Sequence, residues 1–264
     1  MNSIPICGFG TYCLKNDVGY NCTLYALNNG YNHIDTASLY QNETVIGKAI
    51  LDSGIDRNKI WITTKINMHD IASGKDKMHN SVLNSLKNLN TDYIDLVLLH
   101  GPVDNVISES WAILEDIMLE MKGKIRFIGV SNYDVRHLNI ILSNCRIKPY
   151  ANQFEISPYL NRDELVKLCN DNDIIIVAHT SLTKNKKFND LKLENLSVKT
   201  DISKPLILLA WALQHNMVVL PRSSNFEHIK ENLECLNVKL NDDVMNELDN
   251  FHVNDCFRIY KQFT

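Results

Sequence analysis

The chain has 264 residues, 45% hydrophobic and 22% charged, with a formal net charge of -4. That length suits one large globular domain, and a mildly acidic chain without a basic block excludes an electrostatic binder of nucleic acid or anionic membrane. The seven cysteines (Cys7, Cys13, Cys22, Cys145, Cys169, Cys235 and Cys256) are scattered and form no C-x-x-C pair, the usage expected of reduced thiols in a cytoplasmic protein.

The opening "MNSIPICGFG" has neither a basic start nor an extended apolar core and is not expected to be a secretory signal. Eight short apolar runs then alternate with longer amphipathic segments. They cover residues 5–9, 31–35, 59–65, 93–100, 124–130, 149–154, 173–178 and 217–220. Near-continuous apolar character is that of strands buried on both faces of a parallel sheet. Residues 42–54, 76–90 and 109–124 carry apolar positions three and four apart, a helical spacing, and Gly123 closes the last of them as a C-cap. Residues 183–201, after the seventh run, read as one long irregular segment, placed to act as a lid or cofactor strap. Residues 203–216 open with Ser203 as N-cap and Pro205 in the first turn. The apolar run "PLILLAWAL" within them is far shorter than the roughly 20 residues that span a bilayer. Strand-helix repetition eight times over predicts the α/β class and a closed (β/α)8 TIM barrel, one domain over residues 1–264; an open sheet of six or seven strands is the alternative.

Polar residues end most of the runs: Asp35, Lys65, His100, Ser131 with Asn132, Asn152 with Gln153, His179, and Arg222. In a barrel those ends converge on one rim, where active sites of this architecture are built. A lone polar strand end needs no function, but seven together ask for one. A tyrosine ordinarily loses its proton near pH 10. A neighbouring ammonium lowers that value, and a carboxylate keeps the ammonium charged and oriented, so Asp35, Lys65 and Tyr40 form a candidate relay for handing a proton to an oxygen that gains negative charge. His100 would sit beside them and fix a carbonyl by hydrogen bonding.

These residues lie in motifs that resemble a known family. "GYNHIDTASLYQNETVIGKAI", "GKIRFIGVSNY", "NQFEISPYL" and "VVLPRSSNFEHIKENL" resemble, in order, the signatures of the aldo-keto reductases, and the likeness runs from "GFGTY" to about residue 236. The resemblance implies a barrel that binds NADPH without a Rossmann fold, with Asp35, Tyr40, Lys65 and His100 as its catalytic four. It implies cofactor contacts at Gly10, Thr11 and Tyr12, at Ser131, Asn132 and Gln153 around the nicotinamide carboxamide, and at His179, Thr180 and Leu182. Arg222 and Ser223 match positions at the adenosine 2'-phosphate, Glu231 and Asn232 match positions near the adenine, and His228 also falls among the cofactor contacts. A planar guanidinium suits phosphate oxygens, which favours NADPH over NADH.

The chain also departs from the family pattern. His179, which titrates near neutral pH in its ordinary state, stands where a tyrosine commonly stacks on the nicotinamide; Gly101 follows His100 where many members have an aromatic; His228 stands where an arginine is frequent. The N-terminus is brief for the hairpin that usually plugs these barrels, so an open, permissive site is expected. The reading is a monomeric reductase of small-molecule aldehydes or ketones, with an NADPH-binding redox-sensing or interaction module as the alternative. The remaining histidines (His33, His69, His79, His137, His215 and His252) show no metal spacing and read as surface or capping residues, and no metal is expected.

Overall fold

Hydrogen bonds between the two ends of the sheet decide between a barrel and an open sheet. In the computed structural model, which describes residues 3–254 and 256–260, Gly8 N donates to Val219 O (2.8 Å), Val219 N to Ile6 O (2.9 Å) and Gly10 N to Pro221 O (3.0 Å). The last strand therefore pairs with the first, and the sheet closes. Its eight strands are β1 (Phe9–Gly10), β2 (His33–Asp35), β3 (Trp61–Ile66), β4 (Ile94–Leu99), β5 (Ile125–Ser131), β6 (Ala151–Glu155), β7 (Ile175–His179) and β8 (Val218–Val219). They pair in chain order, every pair parallel, and helices fill the connections. The open-sheet alternative is excluded. Boundaries moved: β1 begins later than the expected residue 5, because only Phe9 and Gly10 meet β2 in register.

Side chains alternate across each strand, giving two cores. Ile62, Val97, Leu99, Val130, Phe154 and Ile176 point outward into the layer beneath the helices. Trp61, Leu96, Leu98, Ala151, Val177 and Val218 point inward and fill the lower barrel with Ile4 and Leu220. At the N-terminal ends of the strands the floor is a stack of aromatics: Phe127 on Tyr150 (centroids 4.1 Å apart), with Trp61 5.6 Å and 5.9 Å from the two rings. Ile4 N donates to the Tyr150 hydroxyl (3.2 Å), tying the N-terminal segment to this stack. Halfway up, Gly129 leaves room that a Cβ would take, at 2.5 Å from Ala151 O.

Ser203 stands at the N-cap position of the helix Lys204–Gln214 with a proline in the first turn, as expected, although its hydroxyl donates to Glu231 Oε1 (2.7 Å) and accepts no bond from the helix's backbone N–H groups. Residues 183–201 differ from the expectation. After a short turn at Thr183–Asn185 they form the helix Leu191–Thr200, capped by Asp190, which accepts from Lys192 N and Leu193 N. Leu193 and Leu196 are its buried positions, too few among the lysines and asparagines to give a visible helical stripe. Among the described residues no helix is long and apolar enough to cross a membrane.

Candidate active site

The inward side chains at the C-terminal strand ends are those the polar pattern picked out. Lys65, the fifth residue of β3, is 1% exposed and donates to Asp35 Oδ1 (2.5 Å) and Thr36 O (2.9 Å). The other carboxylate oxygen, Oδ2, accepts from Gln153 Nε2 (2.7 Å), so Asp35 joins β2, β3 and β6. A buried ammonium is tolerable only with such partners. Burial still pushes Lys65 below its ordinary pKa, against the pull of Asp35.

Tyr40 reaches this pair from the single turn Ser38–Tyr40 above β2. Ser38 Oγ donates to Lys65 O (2.9 Å), while Thr36 Oγ1 donates to Asn42 Oδ1 and Asn42 Nδ2 to the carbonyls of Thr11 and Leu14. Gln41 leaves the turn at a φ of 55°. The result sets the Tyr40 ring centroid 5.2 Å from Lys65 Nζ and 5.6 Å from the His100 ring, edge-on. The expected lowering of the Tyr40 pKa by Lys65 is not found. Burial first, then the Asp35 charge, push the phenol well above its ordinary value. The Lys65 ammonium is committed to Asp35, so the tyrosine meets a near-neutral pair inside a poorly solvated pocket.

His100 is pushed down to about 3 by burial and by the charges of Lys65 and His179, so its imidazole is neutral. Its Nδ1 is buried and has no hydrogen-bond partner among the described residues. His179 also falls to about 3, through burial and then Lys65, Arg162, Lys184 and Arg258, which corrects the expectation of a group titrating near neutrality. It lies across the mouth with Nδ1 2.9 Å from Thr180 Oγ1 and Nε2 2.9 Å from Asn132 Oδ1. Asn132 Nδ2 donates to His100 O (2.9 Å) and Ser131 Oγ to Gln153 O (2.9 Å). Asn132 and Thr180 both hold left-handed backbone, φ 62° each, an uncommon conformation for a β-branched residue such as Thr180.

The remaining candidates divide. Gly10 ends β1 beside Arg222, and a Cβ there would lie 3.2 Å from Leu220 O. Thr11 is buried, its hydroxyl donating to Asp35 O (3.0 Å), and Tyr12 stands edge-on to Tyr40 at 5.1 Å. Arg222 donates from Nε to Tyr12 O (3.0 Å) and from Nη2 to Cys13 O (3.2 Å), linking the mouth to the helix Phe226–Leu233. Asn225 caps that helix, accepting from Glu227 N and His228 N, and Ser223 Oγ accepts from Asn225 N (3.0 Å). Glu231 faces Ser203, Asn232 is buried, and Leu182 packs on the outer core. Sequence reasoning missed Glu155, Lys184 and Tyr260. Glu155 was legible, two positions beyond Gln153 and hence on the same face of β6; Lys184 sits in a polar segment and Tyr260 in a short tail, both without periodicity.

The model of the Aldo/keto reductase family matches residues 15–252. Glyoxal reductase of Bacillus subtilis is 34% identical over 251 residues, 94% of this chain and 90% of that protein. The 9,11-endoperoxide prostaglandin H2 reductase of Trypanosoma cruzi is 33% identical over 232 residues, 87% of this chain and 81% of that protein. The crystal structure of an aldo-keto reductase from a Medee basin deep-sea metagenome library superposes with a TM-score of 0.92 at 35% identity, covering 99% of this chain and 95% of that one.

Proposed function

Since the chain belongs to the aldo/keto reductase family and is an oxidoreductase of carbonyl compounds, we propose that it reduces small aldehydes, 2-oxoaldehydes such as glyoxal among them, with NADPH and with Tyr40 as proton donor. The observation that carries this reading is the Asp35–Lys65 pair buried beneath the Tyr40 ring.

The donor set fits the cofactor. The carboxamides of Asn132 and Gln153 and the Ser131 hydroxyl match a nicotinamide carboxamide, and Arg222 uses two of its five N–H donors on backbone carbonyls, leaving the rest for a phosphate. Ser223 and His228 would stand near that phosphate, with Gly10, Tyr12, His179, Thr180 and Leu182 along the rest of the cofactor. A bound NADPH supplies the hydride.

The chain's own residues supply the proton and the orientation. Its raised pKa keeps Tyr40 protonated at neutral pH, the state reduction requires of an acid. As the substrate oxygen gains charge the phenol releases its proton, and Lys65, held by Asp35 and Thr36, stabilises the phenolate left behind. The neutral His100 donates its ring N–H to the same oxygen and fixes the carbonyl.

Tyr40→Phe tests the assignment. Turnover of glyoxal with NADPH should fall by about 10²- to 10⁴-fold, the worth of general-acid catalysis, with cofactor affinity and thermal midpoint unchanged. A Phe variant with wild-type turnover would remove Tyr40 from the mechanism. A wild-type protein that binds NADPH but turns over no carbonyl would favour a redox-sensing module.

A further inference from the structure

The mouth is fenced by a continuous ring of contacts, all between side chains except one to the His100 carbonyl, and part of it comes from the C-terminal tail. His100 meets Tyr40, Tyr40 meets Tyr12, and the Lys184 ammonium lies 5.5 Å from the Tyr12 centroid and 4.4 Å from that of Tyr260. Tyr260 stands perpendicular to His179 (5.6 Å, 85°), and His179 returns to His100 through Asn132. At Ile259 and Tyr260 the tail's backbone is held by a side chain of the barrel itself. Glu155, the last residue of β6 and the register partner of His179, is 4% exposed. Its Oε1 accepts from Ile259 N (2.7 Å) and its Oε2 from Tyr260 N (2.9 Å). Phe257 N adds a bond to Tyr159 O (2.9 Å), and Lys187 lies over the Phe257 ring.

A carboxylate inside the barrel rim with both oxygens on tail amides fixes the tail's backbone without constraining which side chains it presents. The side chain presented at the mouth is Tyr260. Gly101 gives the rim no aromatic at the position after His100, and the imidazole of His179 covers less area than a phenol ring would. We propose that Glu155 is a positioning residue that latches the tail, and that Tyr260 thereby becomes the wall limiting the site to small carbonyl compounds. The inference rests on the carbonyl-reductase reading and adds to it the residues that set substrate size.

The test uses the full chain with NADPH. In Tyr260→Ala and in Glu155→Gln, whose amide can satisfy only one of the two tail N–H groups, KM for 4-nitrobenzaldehyde should fall about tenfold relative to KM for glyoxal, with kcat within about threefold. Tyr260→Phe, which keeps the ring, should retain the wild-type ratio, and the double variant Glu155→Gln/Tyr260→Ala should match Tyr260→Ala alone, since the latch acts only through the wall. An unchanged ratio in the two single variants, or additive effects in the double, overturns the proposal. Amide hydrogen exchange reads the latch independently of turnover: Ile259 and Tyr260 should exchange at least about tenfold faster in Glu155→Gln, and unchanged protection overturns it. A wild-type protein with no carbonyl turnover would sink the reductase reading, and the exchange measurement would still decide whether Glu155 holds the tail.

Discussion

The floor and the mouth of the barrel are made by the same strands and the same alternation, yet they hold opposite chemistry. Inward along β3 come Trp61, Thr63 and Lys65; along β5, Phe127, Gly129 and Ser131; along β7, Ile175, Val177 and His179. Each strand begins in an aromatic or aliphatic side chain and ends in a hydrogen-bonding one. The floor is a stack of rings with one hydroxyl tied to the Ile4 amide and the Trp61 indole N–H donating to Thr63 Oγ1 (3.1 Å), and it asks mainly for volume and shape. The mouth is a charge pair, two neutral imidazoles and three amide or hydroxyl groups whose positions depend on one another. In barrels of this kind one end secures stability and the other is free to carry reactivity.

The contrast breaks most visibly at Asp35. Asp35→Asn leaves the Lys65 ammonium, with a fully buried side chain, without its counter-ion, and should cost about 3–5 kcal/mol of unfolding free energy. Turnover should fall with it, by roughly 10²-fold or more, because in the proposed mechanism the Tyr40 phenolate loses its oriented partner. Trp61→Ala at the floor removes a ring that is 0% exposed and should cost a similar 3–5 kcal/mol, with kcat within about twofold of wild type. Urea unfolding and steady-state kinetics on both variants decide the matter. If Trp61→Ala lost as much turnover as stability, floor and mouth would be one cooperative unit and the division would fail.

The floor was less legible than the mouth for a physical reason. An apolar inward residue looks the same as an apolar outward one in a strand buried on both faces, so Trp61 and Phe127 could be assigned to a strand but not to the barrel interior. Polar strand ends break that degeneracy, and Asp35, Lys65, His100, Gln153 and His179 do meet at one rim. Identity was readable there and protonation was not. The direction of the Tyr40 shift depends on whether the Lys65 charge is free or engaged, and a sequence does not contain the Asp35–Lys65 distance. The tail shows the same limit from the other side: Glu155 reaches residues more than a hundred positions away through their backbone N–H groups, which every non-proline residue offers alike.

The smallest effect expected of any one residue is pH dependence, which tests whether floor and mouth share one dry interior. His33, wholly buried between Thr63 Oγ1 and Pro5 O, belongs to the lower barrel and is pushed down to about 4, chiefly by burial. His100 and His179 at the mouth fall to about 3. Each is neutral in the folded protein, whereas the unfolded chain takes up a proton below about pH 6.5. Between pH 6.5 and pH 4 the unfolded state binds more protons, so stability falls as the pH falls through that window and is flat in these groups above it. From pH 7 to pH 5 the loss is at most about 2 kcal/mol per histidine, and urea midpoints at the two values should record it. His33→Gln should remove one histidine's share of that slope and leave the pH profile of kcat unaltered. The wild-type kcat profile should itself show no inflection near pH 6.5, since neither mouth imidazole changes charge there. An inflection that disappears in His179→Gln would mean that the mouth admits enough water to charge His179, and that the interior is dry only at the floor.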